Sequence, residues 1–142
     1  MGELEALYTD MIMEESRAKH NRREIENPNI IEDGHNPTCG DEIKLYATFD
    51  GDIISDLSFT GEGCAISQAS TSMMIDLIKG KSREEAEHLI ETFLGMIKRE
   101  EIPEDVLLEL EDSIAFQNIC NMPARVKCAL LAWRTLQQAI KE

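Results

Sequence analysis

The sequence predicts an α+β fold, in which a small antiparallel sheet of about three strands packs against helices on one side. Residues 43–49 and 53–60 are rich in strand-forming side chains and flank an Asp-Gly-Asp turn, which is the pattern of a β-hairpin. After residue 63, apolar side chains instead recur every three to four positions, as they do in amphipathic helices. Strands followed by a run of helices indicate an α+β domain.

The N-terminal part is predicted to contribute one helix and the third strand. Residues 3–19 carry apolar side chains with helical spacing and are therefore expected to form a helix. Residues 21–36 are polar and contain Pro28 and Gly34, so we expect a surface loop with little regular structure. Because two strands alone are marginally stable, a third strand is expected from the segment before Cys39.

The remaining elements are predicted to be helices. The first begins near Ile66 and ends at Gly80, where a glycine can terminate it. The sequence from Ser82 to Glu85 is a capping box that begins the second helix. Prolines suit the first turn of a helix, so Pro103 is expected to open a short third piece and Pro123 the last helix.

Length and composition indicate one globular domain spanning residues 1–142. A chain of 142 residues can bury a core without disulfides, and 42% apolar and 30% charged residues are usual for such a protein. It has neither an apolar run of about 20 residues nor a secretory signal pattern. We therefore expect no membrane association and a cytoplasmic location, where cysteines remain reduced.

The charge of the chain argues against nucleic-acid binding. The formal net charge is −14, and no basic stripe is present that could displace counterions from phosphates. This charge can simply keep the surface solvated, or it can steer the protein toward a partner with a basic patch.

Three cysteines and one aspartate are the candidate metal ligands of the sequence. Cys39 and Asp41 flank Gly40, whose missing side chain lets the backbone approach an ion. If the segment is extended, the side chains of Cys39 and Asp41 leave the same face. Together with Cys64 and Cys128 they supply three soft thiolates and a carboxylate, which suits tetrahedral zinc or an iron–sulfur site.

The surroundings of the other two cysteines favour thiolates. Cys64 follows two glycines and is expected at a helix N-terminus, where the helix dipole lowers a thiol pKa. Cys128 lies about one turn after the start of the last helix, with Lys127 and Arg125 as cationic neighbours. These two basic residues could balance the negative charge of a thiolate-rich metal site.

Other residues could also supply ligands. His35 lies four residues before Cys39 and is the main rival ligand, whereas His20 suits the end of the first helix and His88 suits a solvated helix face. Cys120 has no comparable setting and is assigned no role. The spacing of the cysteines matches no zinc-finger pattern, so the residues alone leave the site open.

Three ordered segments resemble the IscU/SufU family of iron–sulfur cluster assembly proteins, whose domain is also the N-terminal domain of NifU-like proteins. They are Asn36-Pro37-Thr38-Cys39-Gly40-Asp41, Gly61-Glu62-Gly63-Cys64-Ala65-Ile66-Ser67-Gln68-Ala69-Ser70 and Pro123-Ala124-Arg125-Val126-Lys127-Cys128-Ala129-Leu130-Leu131-Ala132-Trp133. The resemblance covers nearly the whole chain and implies a SufE/IscU-like fold.

Within the family, the chain resembles the SufU branch. Lys127 stands where IscU scaffolds carry a histidine, the stretch between Cys64 and Cys128 is longer than in IscU, and the double-proline motif that IscU presents to its chaperone is absent. This branch implies a zinc site made by Cys39, Asp41, Cys64 and Cys128. It also implies that Cys39 accepts persulfide sulfur from a pyridoxal-phosphate cysteine desulfurase of the SufS type, for use by downstream iron–sulfur assembly proteins.

Two other functions remain open from the sequence. The same ligands could hold iron or a [2Fe–2S] cluster, in which case the protein is a scaffold that assembles and transfers the cluster. A purely structural zinc site in an adaptor protein is the third possibility. Whether the protein is an enzyme is therefore not decided by the sequence.

Overall fold

The structure is a computed structural model that describes residues 3–141, and the side chains from residue 6 onward except that of Cys120. Helix α1 comes first and is followed by three strands and four further helices. Their bounds are α1 Glu3–Arg17, β1 Ile30–Asn36, β2 Asp41–Asp50, β3 Ile53–Glu62, α2 Ala65–Ile78, α3 Arg83–Ile97, α4 Glu104–Leu107 and α5 Pro123–Ile140. Two 3-10 segments, Leu108–Phe116 and Ile119–Asn121, connect α4 to α5.

The strands form one antiparallel sheet in the order β1-β2-β3, which confirms the predicted α+β class. Helices α2 and α5 pack against the sheet. The β2–β3 hairpin closes at Gly51, whose φ of +61° is readily adopted by glycine. Among residues 3–141, no helix combines the length and the apolar character needed to cross a membrane.

The third strand comes from the segment before Cys39, as expected, but it occupies part of the segment that was predicted to be a loop. The loop prediction for residues 21–36 was wrong over Ile30–Asn36, which pairs along its whole length with β2. An edge strand can keep polar side chains because alternate ones face solvent, and here Ile31, Asp33 and His35 are exposed. The sequence of β1 therefore lacks the alternation of apolar and polar residues that predicts a half-buried strand.

The core contains a stacked pair of aromatic side chains, Trp133 of α5 and Phe93 of α3. The Trp133 and Phe93 rings stack with centroids 3.9 Å apart and planes 4° apart, and neither residue is accessible to solvent. Trp133 Nε1 donates to Ser70 Oγ at 2.9 Å, and Ser70 Oγ donates to the Ala129 carbonyl at 2.6 Å. This packing fixes α5 against α2 and α3, so that the N-terminal ends of α2 and α5 are held in place.

The predicted helix boundaries are largely confirmed. Ser82 Oγ accepts from the Glu85 N–H at 3.1 Å, and the Glu85 carboxylate accepts from the Ser82 N–H at 3.0 Å, which completes the capping box. Helix α4 follows Pro103 but lasts only four residues. The chain then turns into a 3-10 segment that is interrupted at Glu111, where φ is 51° and ψ is −128°.

A segment between α1 and β1 lies along β3, an edge strand of the sheet. The Phe59 N–H donates to the Asn21 carbonyl, and the Arg23 N–H donates to the Phe59 carbonyl, both at 3.0 Å. The guanidinium of Arg23 contacts both oxygens of Asp56, at 3.1 and 2.5 Å. These bonds fasten residues 21–23 to β3.

Candidate metal centre

A four-residue turn between β1 and β2 presents Cys39. Asn36 and Asp41 pair across this turn, and Gly40 has a φ of +70°, in the left-handed region that favours glycine. The condition of an extended segment from Cys39 to Asp41 is not met, because the chain reverses between residues 37 and 40. The reversal still brings both side chains to one place, with Cys39 partly exposed and Asp41 fully buried.

Cys128 reaches the same place from helix α5. Its sulfur is buried and lies 3.0 Å from the sulfur of Cys39. The ligand atoms of Cys39, Asp41 and Cys128 all lie within 4.8 Å of one another. The Cys39 thiol also lies 3.7 Å from the carbonyl of Ala124, in the first turn of α5. The turn and the helix start therefore converge on one cluster of metal-binding side chains.

Cys64 adjoins this cluster and caps helix α2, as the sequence predicted. Its sulfur accepts the Ser67 N–H at 3.5 Å, and its own N–H donates to Asp41 Oδ1 at 2.9 Å. Cys64 also contributes to the raised pKa of Cys128. Cys64 is not part of the group whose ligand atoms all lie within 4.8 Å. The Cys64 side chain would have to rearrange for all four groups to meet one ion.

The buried carboxylate of Asp41 is held by polar neighbours. Asn36 Nδ2 donates to Asp41 Oδ2 at 3.3 Å and lies 3.8 Å from the Cys128 sulfur. Asn36 was not among the predicted site residues, although it stands in the first segment that resembles the family. Its position before the turn, across from Asp41 in the β1–β2 pairing, explains its role.

Gly63 makes the space that the Asp41 carboxylate occupies. A Cβ atom at position 63 would lie 2.4 Å from Asp41 Oδ1, well inside contact distance. Gly63 therefore accommodates the buried carboxylate as well as preceding the start of the helix.

The electrostatics of the cluster depend on burial and on Arg125. Burial raises the pKa of the Cys128 thiol well above its ordinary value, and hydrogen bonds with Cys39, Asp41 and Cys64 raise it further. A hydrogen bond with Cys128 raises the pKa of the Arg125 guanidinium, as do the nearby charges of Cys64, Cys128 and Cys39. A divalent cation would reverse this balance, since it deprotonates coordinating thiols.

The two basic residues predicted to support the site lie in different places. Both side chains are exposed, but the cysteines raise the pKa of the Arg125 guanidinium, whereas Lys127 lines a neighbouring groove of about 390 Å³. His35 and Arg134 line the same groove. Lys127 is therefore close to the cluster without being part of it.

The histidines pair with carboxylates elsewhere. His35 Nε2 lies 3.5 Å from Glu42, His88 Nε2 lies 2.8 Å from Glu109, and His20 contacts Asp76. Within the described residues, none of these rings belongs to the cysteine cluster. The Cys120 side chain lies outside the described part of the chain.

The donor set fits a thiophilic metal ion. Two sulfurs and a buried carboxylate oxygen are close together, and a third sulfur adjoins them. Zinc and iron–sulfur clusters both accept such ligands. The buried Asp41 accepts two N–H groups that fix its orientation, as the outer partners of metal-bound carboxylates usually do.

Comparison with curated proteins finds relatives over nearly the whole chain. The chain is 41% identical to the zinc-dependent sulfurtransferase SufU of Bacillus subtilis over 96% of its own length and 91% of that protein. It is 39% identical to the iron–sulfur cluster assembly scaffold protein IscU of Thermotoga maritima, covering 96% and 94% of the two chains. It is 38% identical to the protein of the same name in Streptococcus pyogenes, covering 99% and 87%.

Solved structures agree with these relatives. A crystal structure from Fervidobacterium islandicum, described as a candidate iron–sulfur cluster assembly scaffold protein for the SUF system, matches with a TM-score of 0.88 and 44% identity, covering 95% and 97% of the two chains. The N-terminal part of a NifU-like protein from Brucella abortus shares the fold, with a TM-score of 0.84 at 20% identity and coverage of 97% and 94%. The model of the NifU-like N-terminal domain matches residues 7–142, and the chain therefore belongs to this family.

Proposed function

We propose that this protein is a zinc-dependent sulfurtransferase for iron–sulfur cluster assembly, which accepts persulfide sulfur from a cysteine desulfurase. The observation that carries the proposal is the convergence of Cys39, Asp41 and Cys128, with Cys64 beside them. The 41% identity to a zinc-dependent sulfurtransferase supports the choice among thiophilic metals. Cys39, Asp41, Cys64 and Cys128 would hold the zinc ion.

Cys39 and Cys64 are both partly exposed, and the position of Cys39 in the fold supports it as the sulfur acceptor. Cys128 is buried beneath it, and the Cys64 sulfur accepts a backbone N–H at the start of α2. Cys39 instead lies in an exposed turn, where a partner can approach. A turn can also release one side chain from the cluster without disturbing a helix or a strand.

The transfer is a thiol–disulfide exchange. The Cys39 thiolate attacks the outer sulfur of the persulfide on the desulfurase cysteine, which forms a new sulfur–sulfur bond on Cys39. The bond between the two desulfurase sulfurs breaks, and the desulfurase cysteine leaves as a thiolate that takes up a proton. The step needs no oxidant or reductant, because one sulfur–sulfur bond is exchanged for another.

The surrounding residues would keep Cys39 reactive. Zinc, when bound, would hold its ligand thiols deprotonated at neutral pH. The Arg125 guanidinium, whose pKa the cysteines raise, would stabilise negative charge on their sulfurs. Asn36 and the Cys64 N–H hold Asp41 in place. We propose a desulfurase of the SufS type as the partner, and downstream iron–sulfur assembly proteins as the recipients.

The decisive experiment measures turnover of a SufS-type desulfurase under anaerobic reducing conditions, with and without the zinc-loaded protein. We expect strong stimulation by the wild type and none by Cys39→Ala, because the acceptor thiolate is missing. Thr38→Ala is the matched control: it changes the same turn but keeps every proposed ligand. Undiminished transfer to Cys39→Ala would exclude Cys39 as the acceptor.

A [2Fe–2S] scaffold is the second candidate function. The 38–39% identity to two proteins named as IscU scaffolds favours it, and the same ligands suit both functions. Anaerobic reconstitution with iron and sulfide tests it. A stable cluster that passes to an apo-ferredoxin, together with no stimulation of the desulfurase, would favour the scaffold over the sulfurtransferase.

A further inference from the structure

Helix α5 carries positive charge in an otherwise acidic chain. The formal net charge of −14 comes from 28 acidic and 14 basic residues. The 18 residues of α5 nevertheless contain no aspartate or glutamate, whereas they include Arg125, Lys127 and Arg134. All three of these side chains are exposed. The surface charge is therefore segregated, and α5 presents cations to solvent beside the candidate metal centre.

Two of these cations line the groove between α5 and the end of β1. The residues that line it are His35, Asn36, Lys127, Leu130, Leu131 and Arg134. The four residues from α5 recur with helical spacing, so they share one face of the helix. Leu130 is buried and Leu131 is half-buried, which gives the groove an apolar floor between the charged side chains of Lys127 and Arg134.

The cations of the groove are available to a ligand. Within the described residues, neither Lys127 nor Arg134 forms an ion pair with a carboxylate. No acidic residue of the described chain lines the groove. His35 is the exception among its basic side chains, since its Nε2 lies 3.5 Å from Glu42 on the neighbouring strand. Lys127 and Arg134 therefore determine the sign of the ligand, which must be anionic.

The groove also lies beside an open edge of the sheet. In the part of the chain that the structure describes, β1 pairs only with β2. The backbone of an uncovered edge strand can pair with another extended chain. A Cβ atom at Gly34 would overlap Thr135 Oγ1, so α5 lies directly against β1. A strand added to β1 would therefore lie close to the cations of α5.

We propose that this groove binds an extended, acidic segment of a partner protein, which pairs with the edge of β1 and places its carboxylates against Lys127 and Arg134. These two residues are seven positions apart, so they lie about 10 Å apart along the helix axis. About three extended residues span that distance. A second copy of this chain is a poorer occupant, because two molecules that each carry a net charge of −14 repel each other.

An acidic segment bound here would reach the candidate metal centre. Asn36 lines the groove, and its Nδ2 donates to Asp41 Oδ2 at 3.3 Å and lies 3.8 Å from the Cys128 sulfur. A partner anchored in the groove would therefore be held beside the turn that carries Cys39. The proposal concerns binding alone, and it depends neither on the metal nor on sulfur transfer.

A fluorescein-labelled peptide of alternating threonine and glutamate is the probe, because its glutamates lie on one face of an extended chain. Fluorescence anisotropy follows its binding to the zinc-loaded protein. We expect saturable binding of one peptide per chain, which weakens as sodium chloride is raised because exposed charges are screened. The same peptide with glutamine in place of glutamate should not bind. No saturable binding of the glutamate peptide, or equal binding of the glutamine peptide, would overturn the proposal.

Variants test the two cations. Arg134→Gln and Lys127→Gln should each weaken peptide binding about threefold, and the double variant about tenfold, as expected for exposed ion pairs. Arg134→Gln should leave zinc affinity unchanged, which separates the groove from charge balance at the metal centre. Lys141→Gln is the matched control, because it removes the same charge at the end of the same helix but outside the groove. Equal peptide affinity in the wild type and the double variant would contradict the proposal.

Amide hydrogen exchange locates the bound peptide. Pairing with the edge of β1 should slow exchange in Ile30–Asn36, because N–H groups that face solvent become hydrogen-bonded. Slowed exchange confined to other segments would rule out strand addition. Sedimentation equilibrium and oligonucleotide competition test the other occupants. A dimer that excludes the peptide would assign the edge to a second copy, and a single-stranded oligonucleotide that binds more tightly than the peptide would assign the groove to nucleic acid; either result would overturn the proposal.

Discussion

Gly63 shows that the candidate metal centre depends on the absence of a side chain. Its missing Cβ leaves room for Asp41, and the next residue donates its N–H to the same carboxylate. Asp41 is short and fully buried, so it has little freedom to move aside. Gly63→Ala should therefore displace the carboxylate and weaken zinc binding at least tenfold while the fold is retained. Zinc competition with a chromophoric chelator measures this change.

The control for this substitution is Gly95→Ala. A Cβ at position 95 would meet the end of the flexible Glu100 side chain at 2.9 Å, which can swing away. Alanine is also favoured over glycine inside a helix by about 1 kcal/mol. This variant should bind zinc like the wild type. If Gly63→Ala and Gly95→Ala bind zinc equally, the close packing of position 63 against Asp41 has no functional consequence.

Residue types and their neighbours in the sequence identified most of the cluster. Glycine and proline marked Cys39 and Cys64, which are both partly exposed, and the expected cap at Cys64 is confirmed. The reversal between Cys39 and Asp41 was missed, because a spacing of two suits either an extended strand or a turn. The different positions of Arg125 and Lys127 depend on how α5 is rotated against the sheet, which local sequence does not determine. That the four groups bind zinc stays a prediction.

The segment that joins α1 to the sheet provides the clearest pH test. A hydrogen bond from Arg23 lowers the pKa of Asp56 below its ordinary value, and Lys79 adds to this effect. The ionised carboxylate therefore contributes stability above the unfolded-state pKa, near 4, and this contribution is lost as the pH falls through the lower folded-state pKa. Both side chains are about a third exposed, so the contribution is about 1 kcal/mol or less.

Asp56→Asn should accordingly be less stable than the wild type at pH 7, and the difference should shrink toward pH 3. Urea unfolding at the two pH values measures it. Asp50→Asn is the control, because it makes the same chemical change at an exposed hairpin position outside the Arg23–Asp56 ion pair. A difference between Asp56→Asn and the wild type that grows as the pH falls would contradict the assignment.

At the level of elements, the helices were more predictable than the edges of the sheet. The capping box at Ser82 and the proline at the start of α5 are local signals, and the structure confirms both. Strand β1 was obscured because its pairing with β2 is long-range and its outer face is polar. The turn at Glu111 could not be expected, since a positive φ is uncommon for a residue other than glycine.

The net charge of −14 acts on the molecule as a whole. Like charges repel in the compact state, and salt screens them: the Debye length falls from about 30 Å at 0.01 M to about 8 Å at 0.15 M. The free energy of unfolding should therefore rise when sodium chloride is increased over this range. Urea unfolding at each concentration measures it, with potassium chloride as the control for ion-specific effects. Stability that falls with added salt would show that specific ion pairs outweigh the net repulsion.

The stacked pair of Trp133 and Phe93 makes the core observable without a label. Trp133 is the only tryptophan in the chain, and it lies five residues after Cys128 on the same helix. Its indole is completely shielded from water and has a fixed hydrogen-bond partner, so its emission should be blue-shifted and its near-ultraviolet dichroism strong. Intrinsic fluorescence can therefore follow unfolding, and the response of the helix to metal loading, at a single known position in the native sequence.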